Sequence, residues 1–351
     1  MEQIIQKTEQ NRRTGYLDAL RIVSTFAVMI LHLSAAGHKT AETGSSVQAI
    51  CWGYDFLSRF AVPVFVMISG AIFLNPDKEV NLKLLLKKNI PRLVLAFFAW
   101  SAVYALMQSA RECAMFSTEF FLSVIRKTVT GHYHMWYLYM IVGLYLAVPF
   151  LRPIAADRKL LKQFILLSFL LGSVPRLLYL IPAAGEVVRE VTEKADISFF
   201  AGYAGYFCLG YYLHSTQFPK RRVTVIAVLA AVLMTAMTVL GVKERYSEVL
   251  LLEKMPHIFV YSTAVFLVFK ENADWFERSA TLRKWIGKLA FCSFGMYLAH
   301  PAFNFVLNKL GIHALTFTPL LCVPLCGVLV FIFSYFLIRI MKKCPLLKRF
   351  V

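Results

Sequence analysis

The sequence predicts an all-α, polytopic integral membrane protein with about ten transmembrane helices around a polar cavity. Three observations point there. Hydrophobic residues make up 58% of the 351-residue chain and charged residues only 17%, with a mean hydropathy of +0.61. A soluble domain has a different balance. The apolar residues lie in solid blocks of roughly 20, the length that crosses a bilayer as a helix. A membrane barrel would show alternation instead. Finally, the cations gather between the blocks, where they set topology.

Taken in order, the blocks are Leu17–Ala35, Phe56–Leu74, Ile90–Met107, His134–Leu151, Leu160–Ile181, Ile197–Leu213, Val223–Val242, Val249–Phe269, Ile286–Leu307 and Leu315–Ile340. The first follows Arg12 and Arg13 and precedes "SAAG", as a signal peptide would. Its internal Arg21 and the spans behind it favour an uncleaved helix. The sixth is short and carries Gly202, Gly205 and Gly210, a pattern suited to close helix packing. The eighth is interrupted at its start by Glu253, Lys254 and Pro256. Between the third and fourth blocks, "STEFFLSVIRKTV" puts Phe120, Phe121, Val124 and Ile125 on one helical face, as in a helix lying in the interface. The organisation expected is a cytoplasmic N-terminal segment (1–16), one transmembrane domain (17–340) and a basic cytoplasmic tail (341–351).

The formal net charge of +18 would suggest nucleic acid in a soluble protein. No nucleic-acid motif is present, and the cations fall in short loops, where they touch anionic lipid. With both termini cytoplasmic, most Lys and Arg lie on the inner side, including Lys83, Lys87, Lys88 and Arg92. An even number of spans in a bacterial plasma membrane fits that distribution. The seven cysteines are scattered without a C-x-x-C pair or zinc spacing and read as small buried residues; no metal is expected.

Three arginines, Arg21, Arg59 and Arg176, fall inside spans. Charges there are costly unless paired or hydrated, which marks functional candidates. Arg21 and His32 are eleven residues apart, three helical turns plus roughly 20°, with a rise of about 16 Å. They share one face at opposite depths, with Thr25 and Val28 between them. Asp18 is placed to pair with Arg21. On this topology His32, Arg59, His134, Arg176 and His300 come from different spans yet share the outer half, with Trp136 and Tyr297 nearby. That predicts a polar cavity open to the outside. Bland readings exist for each: an interfacial histidine, a snorkelling arginine, an aromatic belt. The Arg21–His32 stripe fits none of them.

Histidine serves as a base near neutral pH or as a transient acyl carrier, and arginine holds phosphate or carboxylate. No G-x-S-x-G, H-E-x-x-H or P-loop is present. The inventory suits group transfer from a phosphorylated donor on one face to a hydroxyl on the other. A transporter of an amino acid or small solute would use the same cavity without chemistry, and it is the alternative reading.

Arg21 and His32 match the R-x10-H motif of the acyltransferase 3 family of membrane-bound acyltransferases. "FAVPVFVMISG", "LLKKNIPRLVLAFFAW", "GHYHMWYLYMIVGLYLAVPFLRP", "GYFCLGYYL" and "SFGMYLAHP" resemble its later blocks in order. The sequence is most similar to the O-acetyltransferases of bacterial surface glycans, of the enterobacterial common antigen type. The resemblance implies acyl-CoA as donor, acetyl by default, and a hydroxyl of a surface or lipid-linked glycan as acceptor. It implies that His32 is catalytic and that Arg21 contacts the donor. Arg59, His134, Trp136, Tyr297 and His300 are expected at the acceptor, and Lys87, Lys88 and Arg92 at the coenzyme A phosphates. Many relatives are arginine-rich where this chain has those two lysines. Some also carry a C-terminal hydrolase-like domain. None follows the last span here, so a two-step transfer is expected to need a second protein.

Overall fold

The computed structural model describes residues 2–76, 82–194, 202–243 and 247–351. Among the described residues all regular elements are helical. The longer ones are α1 (Glu2–Thr40), α2 (Ser46–Ser58), α3 (Ala61–Phe73), α4 (Ile90–Glu112), α5 (Thr118–Thr130), α6 (Trp136–Ala156), α7 (Arg158–Gly172), α8 (Pro182–Lys194), α9 (Tyr203–Ser215), α10 (Lys220–Lys243), α11 (Pro256–Glu271), α12 (Ala280–Lys309) and α13 (Pro319–Lys343). Among the described residues eight segments are long and apolar enough to cross a membrane: Gly15–Thr40, Ser46–Phe73, Leu85–Glu112, Trp136–Ala156, Arg158–Leu180, Lys220–Val242, Ala280–Lys309 and Pro319–Lys343.

Two expected spans are not among these eight. The sixth begins within residues 195–201, which lie outside the described residues; its helix α9 has 13 residues. The eighth is reduced to α11, of 16 residues, because Glu253 and Lys254 stay in a turn and Pro256 opens the helix at a position where its missing N–H costs nothing.

The second span starts ten residues earlier than expected and is broken. Pro63 lacks the N–H that would bond back to Arg59. α2 therefore ends with the Arg59 N–H on the Phe56 carbonyl at 3.2 Å, and α3 starts anew at Ala61. The fifth span is also mixed: α7 starts on Asp157, whose Oδ1 accepts from the N–H groups of Lys159 and Leu160. It gives way to a 3-10 turn at Val174–Leu180 that carries Arg176.

α1 is the central helix and packs against α2, α3, α12 and α13. α3 and α9 approach most closely. A side chain at Gly70 would strike the Phe207 carbonyl, and one at Gly210 the Met67 carbonyl, so glycine on both helices permits the crossing. The amphipathic helix between the third and fourth spans is α5. Phe120 is buried on the protein side, while Phe121 and Ile125 are exposed. α5 ends at Gly131, whose φ of 77° suits glycine. That reversal sends the chain into His132, Tyr133 and His134.

Candidate active site

A cavity of about 340 Å³ lies among α1, α3, α4, α6 and α12. One part of its wall is Arg21, Asn89 and Arg92; another is Tyr137, Tyr145 and Tyr297. Arg21 Nη1 holds Asp18 Oδ1 at 3.0 Å, both partly exposed, the i, i+3 pairing expected from the sequence. Arg92 donates from Nη2 to the Val351 main-chain oxygen at 2.6 Å and lies 5.8 Å from the Phe294 ring centre. The chain's Leu347–Val351 stretch is thereby docked on α4, with Trp100 Nε1 donating to the Phe350 carbonyl at 3.0 Å.

A second constellation holds the histidines. His32 stacks on His300 with ring centres 5.2 Å apart and planes 16° from parallel, and meets Tyr133 edge-on at 4.9 Å. His134 meets His300 at 5.2 Å. The Nδ1 atoms of His132 and His134 are 3.0 Å apart. Burial pushes His132 down to about 4, so it is neutral near pH 7 and the contact is one N–H donating to one lone pair. His300 Nδ1 donates to the Tyr297 carbonyl at 2.6 Å. That fixes the tautomer and leaves Nε2 as a bare acceptor. Nε2 of His134 and Nε2 of His300 are both buried without a hydrogen-bond partner among the described residues. An unpartnered ring nitrogen in a buried site is available to a substrate. Among the described residues no group of His, Cys, Asp and Glu is arranged to hold a metal ion.

Tyr297 joins the two regions. Its ring lines the cavity, its hydroxyl donates to the His134 carbonyl, and its own carbonyl receives His300. The polar route therefore runs from Arg21 and Arg92 past Tyr137 and Tyr297 to the histidines. His32 stands beyond the cavity rather than in its wall.

The structure thus brings together His32, His134 and His300, as expected, and places Tyr297 with them. Other expected residues have partners of their own. Arg59 is engaged elsewhere: Nε lies 2.6 Å from Asp55 Oδ1 and Nη1 lies 3.5 Å from Glu253 Oε1. His38 Nε2 approaches Asp55 Oδ2 at 3.3 Å. Trp136 lies against Tyr203 at 5.7 Å. Lys87 and Lys88 are exposed on a π-helical turn, Leu85–Asn89, and are not in the cavity wall, whereas Arg92 and Asn89 are.

Tyr133, Tyr104 and Asn89 were not anticipated as site residues. Tyr104 stacks on His132 at 4.4 Å and donates to the Leu298 carbonyl at 2.7 Å. Tyr133 sits inside "HYH", and its neighbours were a usable signal. Tyr104 sits in an apolar run and gave none.

The family model described as an acyltransferase domain, of the acyltransferase 3 family, matches residues 14–339. No curated protein and no solved structure matches the chain. With eight helices fit to cross a membrane and that match over nearly its whole length, the chain belongs to the acyltransferase 3 family and is a multi-pass membrane acyltransferase.

Proposed function

We propose that the protein moves an acyl group, acetyl by default, from acyl-CoA to a hydroxyl of a cell-surface or lipid-linked glycan, as O-acetyltransferases of the enterobacterial common antigen type do. The observation that carries this reading is the route from the Arg21–Arg92 cavity through Tyr297 to the stacked His32 and His300. Its two ends differ in chemistry: cations at one, stacked imidazole rings with unpartnered Nε2 atoms among the described residues at the other. In this reading both termini face the cytoplasm of a bacterial plasma membrane, and the donor enters at the Arg21 end. Arg21 and Arg92 meet the coenzyme A phosphates, with Lys87 and Lys88 exposed at the approach. The acceptor arrives at the histidines, held by His134, His300, Trp136 and Tyr297.

His32 takes the proton of the acceptor hydroxyl as its oxygen attacks the thioester carbonyl. The C–S bond breaks, coenzyme A leaves as thiolate, and the proton on His32 passes to that sulfur. The stack on His300 holds the His32 ring in place. Transport, the alternative, has no specific observation in its favour.

Purified protein given labelled acetyl-CoA and a membrane glycan fraction tests the reading. His32→Ala is expected to lose about 10²- to 10⁴-fold in transfer rate while it unfolds at the same temperature. Arg21→Ala is expected to raise KM for acetyl-CoA. Transfer at the normal rate in His32→Ala overturns the assignment.

A further inference from the structure

Around Tyr203, whose ring centre lies 5.7 Å from that of Trp136, is a group of cations that acyl transfer as described does not use. Arg176, on the 3-10 turn Val174–Leu180, is half-buried. Among the described residues its guanidinium has no hydrogen bond and no carboxylate at ion-pair distance. Lys254 sits in the turn before α11. Its ammonium lies 4.9 Å from the Tyr203 ring centre and likewise has no carboxylate at ion-pair distance among the described residues. The two are close enough for the Arg176 charge to act on Lys254: burial, then Arg176, pushes Lys254 down to about 8. The nearest acid, Glu253, is turned to Arg59, which also occupies Asp55. Among the described residues, Arg176 and Lys254 are thus left without a carboxylate at ion-pair distance.

Contact with a ring is worth only about 0.5–1 kcal/mol at exposed sites and neutralises nothing. Half-buried cations that repel one another and have no carboxylate at ion-pair distance among the described residues are the arrangement an anion completes. The aromatic rings give the place its direction. Tyr203 meets Trp136 at 5.7 Å and Tyr206 at 6.3 Å. Trp136 opens α6 two residues after His134 in the chain, so the rings lead from the cations to the start of that helix.

We propose that Arg176 and Lys254 bind a phosphate or carboxylate carried by the acyl acceptor, with Trp136 and Tyr203 flanking its sugar ring. The acceptor is therefore an anionic sugar. This rests on the acyl-transfer reading and names its substrate class. A membrane phospholipid offers the same phosphate chemistry, and the experiment separates the two sources.

Titration calorimetry on the full chain in neutral detergent uses glucose 1-phosphate, glucuronate and glucose as probes. At least one of the two anions is expected to bind, and glucose not. Arg176→Gln and Lys254→Gln are each expected to raise Kd about tenfold or more, the scale of a lost charged hydrogen bond. Arg176→Lys and Lys254→Arg, which keep the charge, are expected to fall between. Wild-type binding should weaken as pH rises from 7 through 9, because Lys254 loses its proton. Arg176, Glu253, Arg59, Tyr203 and Tyr206 are the charged and titratable groups around it. Lys254→Arg should bind with a flat profile over that range.

Absence of anion binding, or binding unchanged in both Gln variants, overturns the proposal. So does a result in nanodiscs where phosphatidylglycerol displaces the sugar anion from wild type but not from the variants, because the site then belongs to lipid. The acyl-transfer reading fails separately. If the variants weaken anion binding but no acceptor receives acetyl, the anion site stands and acyl transfer to it falls. If glucose is acetylated as readily as glucose 1-phosphate, in wild type and variants alike, transfer stands and the anionic acceptor falls.

Discussion

Asp55 shows how an arginine survives in an apolar segment. Arg59 was legible as an anomaly, a cation in "FLSRFAVPVFVMISG", and its cost demanded a partner. Asp55 stands four residues earlier, where a helix brings the two together, so half of the answer was in the sequence. The other half, Glu253, comes from 194 residues away in the chain and no local pattern announces it. The result is a buried pair, with Asp55 fully buried and the Arg59 side chain 14% exposed. Removing one partner of such a pair costs about 3–5 kcal/mol, because the other charge stays behind. Asp55→Asn is therefore expected to lower the unfolding temperature in detergent sharply. Asp55→Asn combined with Arg59→Met, which removes both charges, should recover most of the loss. Thermal melts of the single and double variants check this. A double variant no more stable than the single one would make Arg59 more than a counter-charge.

Element boundaries were read less well than element existence, and the reasons are specific. Hydropathy finds apolar length but not a proline that cuts a helix. Hence the expected second span, Phe56–Leu74, starts near the end of α2 and runs through the break at Arg59, and the expected eighth span starts at Val249, before the turn that holds Glu253 and Lys254. The glycine-rich character of the sixth span was a better signal, since Gly205 abuts Ser168 and Gly210 abuts the Met67 backbone. The partner helix was not legible, because packing azimuth has no sequence period of its own. Gly210→Val pushes two β-branched methyls into backbone that has no rotamer to yield, and overpacking typically costs 1–3 kcal/mol. It is expected to lower the yield of monodisperse protein on size exclusion and to lower the unfolding temperature. Gly143 lies in mid-helix with open space around its Cα. Gly143→Ala is therefore expected to be neutral or slightly stabilising, from the better helix propensity. Equal loss in both variants would mean that helix propensity, not the α3–α9 crossing, decides stability.

Across the molecule, separation along a single helix was legible and the direction each residue faces was not. Counting turns placed Arg21 and His32 at different levels of one helix, and α1 is continuous through both. The same count put Arg59 and His300 at one level, but they face different neighbours because each helix is rotated by its own packing. The cavity, too, formed at the Arg21 end rather than around the histidines. α12 explains how the ends communicate. Ser293, Tyr297 and His300 follow an i, i+4, i+7 stripe. One face of this helix therefore carries two cavity-wall groups and, a turn later, a histidine of the cluster. Tyr297 is the joint, since its hydroxyl holds the His134 carbonyl while its ring bounds the cavity. It acts as a positioning residue for the His132–His134 turn. Tyr297→Phe keeps the ring and removes only the hydroxyl, leaving the buried His134 carbonyl without that donor. The turn gains freedom, and a misplaced acceptor site is felt in the chemical step rather than in donor binding. The expected outcome is a fall in kcat of about tenfold or more, with KM for acetyl-CoA within about twofold of wild type. A structural role alone would instead lower the unfolding temperature and the yield of active protein while leaving kcat per active site unchanged. Steady-state kinetics beside a thermal melt separate the two. A rise in KM for acetyl-CoA at constant kcat would place Tyr297 in the donor cavity only and break the link between the two ends.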